Sequence, residues 1–347
     1  MLHLLNAPGR RGRQETSGLI AAAGSALRWR TMDILPTLDD LCARALRGED
    51  APWPGAWNRP EALEAAERRI LYHGIAGLLH ERRDRLEGWP PALLDTLRTE
   101  SLARAVWELG HARLLRAAVE ALHASGVASV LLKGTALAYS LYPSPALRFR
   151  GDSDLLIAPG DLAAAREVLA GLGWRRPGHG EGPFGPLHFQ EVWQRTDPMG
   201  LAHDIDLHWE VTNSRALRDV LDVHRVLAEA TPLPGLSPHA RTPDPVTALI
   251  HRAVNRAEHA RSGYFSLDRN EYDPDRLLWA IDIDLLSAGM SDAQWEKFVG
   301  RASGAGVGSI CADALAFTGK SLGTRAPDWA AHPLAMAPRA TPATRVL

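Results

Sequence analysis

The amino-acid sequence predicts an α+β fold, a strand-bearing core between helical N-terminal and C-terminal segments, and two observations carry that expectation. Before Gly126 and after Arg215, apolar residues recur every three to four positions, the helical period. Between them, short apolar runs and an alternation of polar and apolar residues over 202–211 replace that period with a period of two. Composition agrees: 46% hydrophobic and 23% charged residues suit a globular chain, and 347 residues are enough for two domains.

In chain order, residues 1–31 read as a disordered extension. Arg10, Arg11 and Arg13 precede GLIAAAGSAL, which imitates a signal peptide, but the apolar part is short and Ala/Gly-rich, and the alternative is a true start at Met32. Residues 32–125 form the helical N-terminal region. Pro60 opens one amphipathic pattern, whose stripe comprises Leu63, Ala66, Ile70, Leu71, Ile75, Leu78 and Leu79, and after the Gly88-Trp89-Pro90-Pro91 break a second runs over 92–124. The core occupies 126–215, with strands expected over 127–132, 153–158 and 202–211. A loop over 175–187 holds four Gly and three Pro and reads either as a mobile lid or as a plain surface loop. Helices return over 245–260, 275–287, 292–302 and 308–320, within a C-terminal region of 216–321. In the first of them His251, Asn255 and His259 make one polar stripe, read as a solvated face. Pro327, Pro333, Pro338 and Pro342 mark 322–347 as a disordered tail.

Chemistry concentrates in the core, in VASVLLKGTALAYSLYPSPALRFRGDSDLLI. A strand ends at Lys133, Gly134 allows a tight turn, and a helix opening at Thr135 presents free N–H groups and a positive dipole end, suited to phosphate. Asp152 and Asp154 stand two apart in a strand, so their side chains share one face. Carboxylates so placed repel unless a cation lies between them, and Mg²⁺ is the usual hard divalent ion. Lys133 reads either as a neutraliser of phosphate charge or as a strand-end lysine facing solvent. The second acid-x-acid, in IDIDLL at 281–286, follows a helical pattern. There Asp282 and Asp284 would diverge by about 200°, and they read as structural.

The stretch resembles the nucleotidyltransferase superfamily typified by DNA polymerase beta and the aminoglycoside nucleotidyltransferases. LLKGTALAYSLYP followed by RFRGDSDLLI is most similar to the bacterial family of uncharacterised nucleotidyltransferases, and the Lys-Gly turn with its upstream Arg is also similar to nucleotidyltransferase-type toxins. The resemblance implies a nucleotidyltransferase-type mixed sheet core and a third acid on a neighbouring strand. Asp206, in the context Asp-Leu-His-Trp, is the expected third acid and Asp204 the substitute. Asp152, Asp154 and Asp206 would then be both catalytic and metal-binding, holding Mg²⁺ (or Mn²⁺). Lys133, Gly134, Thr135 and Arg148 would bind the nucleotide, with Arg148 clamping a phosphate or orienting the acidic pair, and Arg150 as its alternate. His208 reads as a hydrogen-bonded strand residue rather than a ligand. One departure stands out: 16 residues separate Thr135 from Asp152, more than is typical of the superfamily, and Gly-Thr replaces the commoner Gly-Gly or Gly-Ser.

The implied activity is transfer of a nucleoside monophosphate from an NTP to a hydroxyl acceptor (small molecule, peptide or protein) with release of pyrophosphate. The alternatives are a toxin-type enzyme acting on tRNA and a non-catalytic nucleotide-binding scaffold. With 39 basic and 41 acidic residues the net charge is -2, so no global field favours nucleic acid, and an RNA partner would need a local patch. Cys42 and Cys311 lie far apart without a metal-ligand pattern, which suits a reducing cytoplasm. No apolar run reaches 18 residues, so no membrane-spanning helix is expected.

Overall fold

The computed structural model describes residues 34–177, 189–212, 217, 220–266, 269–271, 273 and 275–336. The extension expected over 1–31 and most of the loop over 175–187 fall outside the described residues. The described residues fall into two compact units, divided between Ala105 and Val106.

In the first unit, α1 (Leu35–Leu46), α2 (Pro60–His73) and α3 (Ala76–Glu81) precede the long α4 (Pro91–Ala124), which continues into the second unit. The sequence pattern running on from Pro60 is split at Gly74, whose φ of 69° ends α2 in the left-handed conformation glycine adopts most readily. Asp39 ties α1 to α2, accepting from Arg69 at 2.9 and 2.6 Å and pairing with His73 Nε2 at 2.7 Å.

The second unit contains a four-stranded mixed sheet: β1 (Ser129–Leu131), β2 (Asp152–Ile157), β3 (Gln190–Thr196) and β4 (Ala202–His208), in the order β1-β2-β4-β3. β2 and β4 are parallel, while β1 and β3 flank them antiparallel. This is the α+β architecture expected from the sequence. α5 (Lys133–Ser140) links β1 to the segment before β2, and α6 (Leu162–Gly171) follows β2. On one face of the sheet, Leu155, Ile157, Ile205, Leu207 and Trp193 pack with Leu115, Val119 and Leu122 of α4 and Leu169 of α6. Burial of that face removes the apolar half of each alternating strand from water and commits the polar half to the opposite face.

After β4 come α7 (Val223–Glu229), the two-residue strands β5 (Thr231–Pro232) and β6 (Arg241–Thr242), α8 (Pro245–Ser262), the pair β7 (Tyr264–Ser266) and β8 (Arg269–Glu271), then α9 (Leu277–Ala288), α10 (Asp292–Gly304), α11 (Gly308–Leu322) and α12 (Asp328–Met336). Local chemistry sets these ends. Asp244 caps α8 ahead of Pro245 at the first turn, and Ser291 with Gln294 forms a capping box on α10. The tail expected to be disordered from 322 instead carries α12, because Ala330 and Leu334 find an apolar surface and are fully buried. Residues 337–347 lie outside the described residues.

Leu155 lies at the centre of the buried face with no exposure. Leu155→Ala is expected to cost about 2–5 kcal/mol of stability in chemical denaturation, as a cavity in a close-packed core does. A loss below about 1 kcal/mol would remove this face as the core of the unit.

Candidate active site

The opposite face of the sheet is acidic. In the parallel register Asp152 faces Asp204 and Asp154 faces Asp206, so four carboxylates occupy a two-by-two block. Their environments differ. Asp154 is buried (6% exposed), Asp204 and Asp206 are half-buried, and Asp152 stands at the open edge.

Asp154 collects the cationic and imidazole partners. Its Oδ1 accepts from Lys133 Nζ at 2.5 Å and pairs with His208 Nε2 at 2.9 Å. The strand β3 supplies amides from alternate positions: Gln190 donates to Asp206 and Gln194 to Asp204, each at 2.9 Å. Burial raises the Asp154 carboxyl, but the Lys133 charge and the His208 bond outweigh it and hold it well below the usual carboxylate range. For Asp206 the Lys133 charge compensates only in part. Burial first, then the charges of Asp152 and Asp154, push it well above its ordinary value. Asp152, crowded by the protein around it and then repelled by Asp154, is pushed up to about 6.

A face with this surplus of negative charge is chemically suited to a divalent cation. The ligand atoms of Asp154, Asp206 and His208 all lie within 4.8 Å of one another, and two carboxylates with one imidazole are a donor set able to hold a divalent metal ion. His208 is a hydrogen-bonded strand residue, as the sequence implies; that it also stands on the acidic face, two residues beyond Asp206, follows from the register of β4. Gln190 and Gln194 were also missed, though their spacing of four in a strand was a legible sign that both share one face.

The turn expected to meet phosphate differs from its sequence reading in three details. Lys133, not Gly134, carries the left-handed φ, at 49°, and it opens α5 two residues before the expected start at Thr135. Its side chain turns to Asp154, so the reading of a solvent-facing lysine is set aside. Gly134 lies in a close approach, since a Cβ there would lie 3.1 Å from Arg148 Nη1 and the guanidinium would have to give way by a few tenths of an ångström. Thr135 is buried, its hydroxyl bonded to Ser153 Oγ at 2.7 Å, which leaves its backbone as the part able to meet a phosphate.

Arg148 and Arg150 both turn inward. Arg148, 5% exposed, makes a two-pronged ion pair with Asp282 of α9 at 2.9 and 2.6 Å. Arg150 donates to Glu108 at 2.9 Å and to Pro145 O at 3.1 Å. Asp282 and Asp284 sit in a helix as expected. The stripe on α8 is not a solvated face: His251 and Asn255 are 3% and 6% exposed and line a pocket with Lys133, Ala136 and Leu137, because α5 packs against that side of α8. Burial first, then the Lys133 charge, pulls the His251 imidazole down to about 3 and keeps it neutral.

Residues 62–323, the whole of this site included, match the family described as uncharacterised nucleotidyltransferase. The chain belongs to that family. Among curated proteins none matches the chain. The nucleotidyltransferase family thus meets here a candidate Asp/Asp/His metal site, and no helix of the described residues is long and apolar enough to cross a membrane.

The raised carboxyl of Asp152 fixes a sign. Between its unfolded value of 3.8 and about 6 the folded chain holds the extra proton, so this group's contribution to stability falls as pH rises through that window. In metal-free protein, Asp152→Asn is therefore expected to raise the melting temperature relative to the parent, by a margin that grows up to about pH 6 and then levels. Saturating Mg²⁺ should reverse the order. Calorimetry at several pH values reads both, and a margin that shrinks towards neutral pH would contradict the electrostatic reading.

Proposed function

We propose that the chain is a metal-dependent nucleotidyltransferase that moves a nucleoside monophosphate from an NTP to a hydroxyl acceptor, a small molecule or a peptide or protein side chain, and releases pyrophosphate. The observation that carries this reading is the gathering of Asp154, Asp206 and His208 on one sheet face, next to Lys133 and the opening turn of α5.

Asp152, Asp154 and Asp206 would hold Mg²⁺ or Mn²⁺, with His208 at their side. A cation bound there supplies charge neutralisation to the triphosphate and polarises the α-phosphate. The remaining roles fall to the chain itself. Free N–H groups at the start of α5, from Gly134 and Thr135, orient the triphosphate by backbone contacts. Lys133, whose charge now rests on Asp154, neutralises phosphate oxygen as it comes within reach. Asp206, on the same sheet face, accepts the proton of the acceptor hydroxyl. The hydroxyl oxygen bonds to the α-phosphorus as the bond from that phosphorus to the bridging oxygen breaks, and the electron pair leaves with pyrophosphate. Two buried free thiols, Cys42 and Cys311, suit a reducing cytoplasm.

Incubation with Mg²⁺, each NTP labelled at the α-phosphate, and fractionated cell extract tests the reading. Label is expected on an acceptor that is not nucleic acid. Asp206→Asn should keep its fold and reduce transfer by about 10²–10⁴-fold, the range for loss of a general base. Label on tRNA instead would favour the toxin-type activity, and no transfer with any NTP or acceptor fraction would favour the non-catalytic scaffold.

A further inference from the structure

Asp282 is fully buried on α9 and faces Arg148, 134 residues away in sequence. Its carboxylate accepts two bonds from the Arg148 guanidinium, at 2.9 and 2.6 Å, and one from the Tyr142 hydroxyl at 2.9 Å. Arg252 of α8 adds a second positive charge at 3.7 Å. Such a buried pair adds little net stability over an apolar substitute, so what sets it apart is the geometry it fixes.

That geometry reaches the phosphate turn. The Arg148 guanidinium lies against Gly134, with Cζ 3.3 Å and Nη1 3.1 Å from the place of a β-carbon. Nη1 also donates to the carbonyl of Phe149, in the segment that leads into Asp152. One side chain thus braces both the turn and the approach to the acidic strand, and a carboxylate on a different helix fixes that side chain from behind. We propose that Asp282 is a positioning residue for phosphate binding: acting through Arg148, it sets the place of the Lys133-Gly134 turn relative to Asp152 and Asp154. This role rests on the nucleotidyl-transfer reading above. It also replaces the expectation that Arg148 grips phosphate itself, because its charge is already matched by Asp282.

The test is titration calorimetry with two probes, Mn²⁺ alone for the acidic face and inorganic tripolyphosphate with saturating Mg²⁺ for the turn. Asp282→Asn is expected to weaken tripolyphosphate by about tenfold or more, the scale of a small misplacement, while Mn²⁺ affinity stays at the parental value. Because the single variant leaves an arginine buried without its partner, the pair Asp282→Leu with Arg148→Met serves as a second probe that removes both charges together. It should melt cooperatively, keep Mn²⁺ affinity and show the same loss of tripolyphosphate as either single change, the non-additivity of residues that act as one unit. Parental tripolyphosphate affinity in the double variant overturns the positioning role. Parallel loss of both probes overturns it as well, since a general loosening would move Mn²⁺ and tripolyphosphate alike. Parental protein that binds neither probe removes the transferase reading, and this role with it.

Discussion

Like charges held side by side on the parallel strands β2 and β4 are the constraint around which the second unit is arranged. Register sets Asp152 against Asp204 and Asp154 against Asp206, and the same register sets Leu155 against Leu207 on the reverse side. The two faces cannot be separated. A one-residue slip would bring the carboxylates into the core and the leucines into water, so burial of the apolar face against α4 and α6 holds the acidic face in place. Lys133 meets part of the repulsion as a tethered cation, with Gln190 and Gln194 donating to the outer pair of acids. What Lys133 leaves uncompensated is visible in the raised carboxyls of Asp152 and Asp206.

The long span between turn and acidic strand follows from the same need for placement. Residues 141–150 are pinned from within: Arg150 bonds the carbonyls of Pro145 and Arg148, and Arg148 bonds that of Phe149. Glu108 of α4 accepts from Arg150 and also from Tyr139 of α5, and Asp282 anchors Arg148. A gap longer than the superfamily's usual one is therefore compatible with a defined register. Two buried arginines and two carboxylates take the place of a short connection, and their guanidinium forks suit that task better than lysine would.

Much of this was legible in the sequence where a local rule and the tertiary outcome agree. Period-two alternation found β4, although it ran three residues past the observed end at His208. Helical period found α8 to α11 and rightly set the acid-x-acid on α9 apart from that on β2. Sequence could not show where polar side chains on helices point. The His251 and Asn255 stripe has the spacing of a solvated face, and only the packing of α5 against α8 turns it inward. Arg148 looked like a phosphate clamp because its partner, Asp282, is brought to it by tertiary structure. Gly134 was read as allowing a tight turn, but its close neighbour in the fold is Arg148. Prolines marked the tail as irregular, yet buried contacts of Ala330 and Leu334 form α12 around Pro333.

The central claim is that the acidic sheet face exists to hold a divalent cation. Crystals soaked in Mn²⁺ and recorded at the manganese absorption edge test it most directly. An anomalous peak within bonding distance of the Asp154 and Asp206 carboxylates is expected, with Lys133 Nζ moved off Asp154 Oδ1. Full Mn²⁺ exposure that leaves Lys133 on Asp154, with no peak on this face of the sheet, would contradict the account.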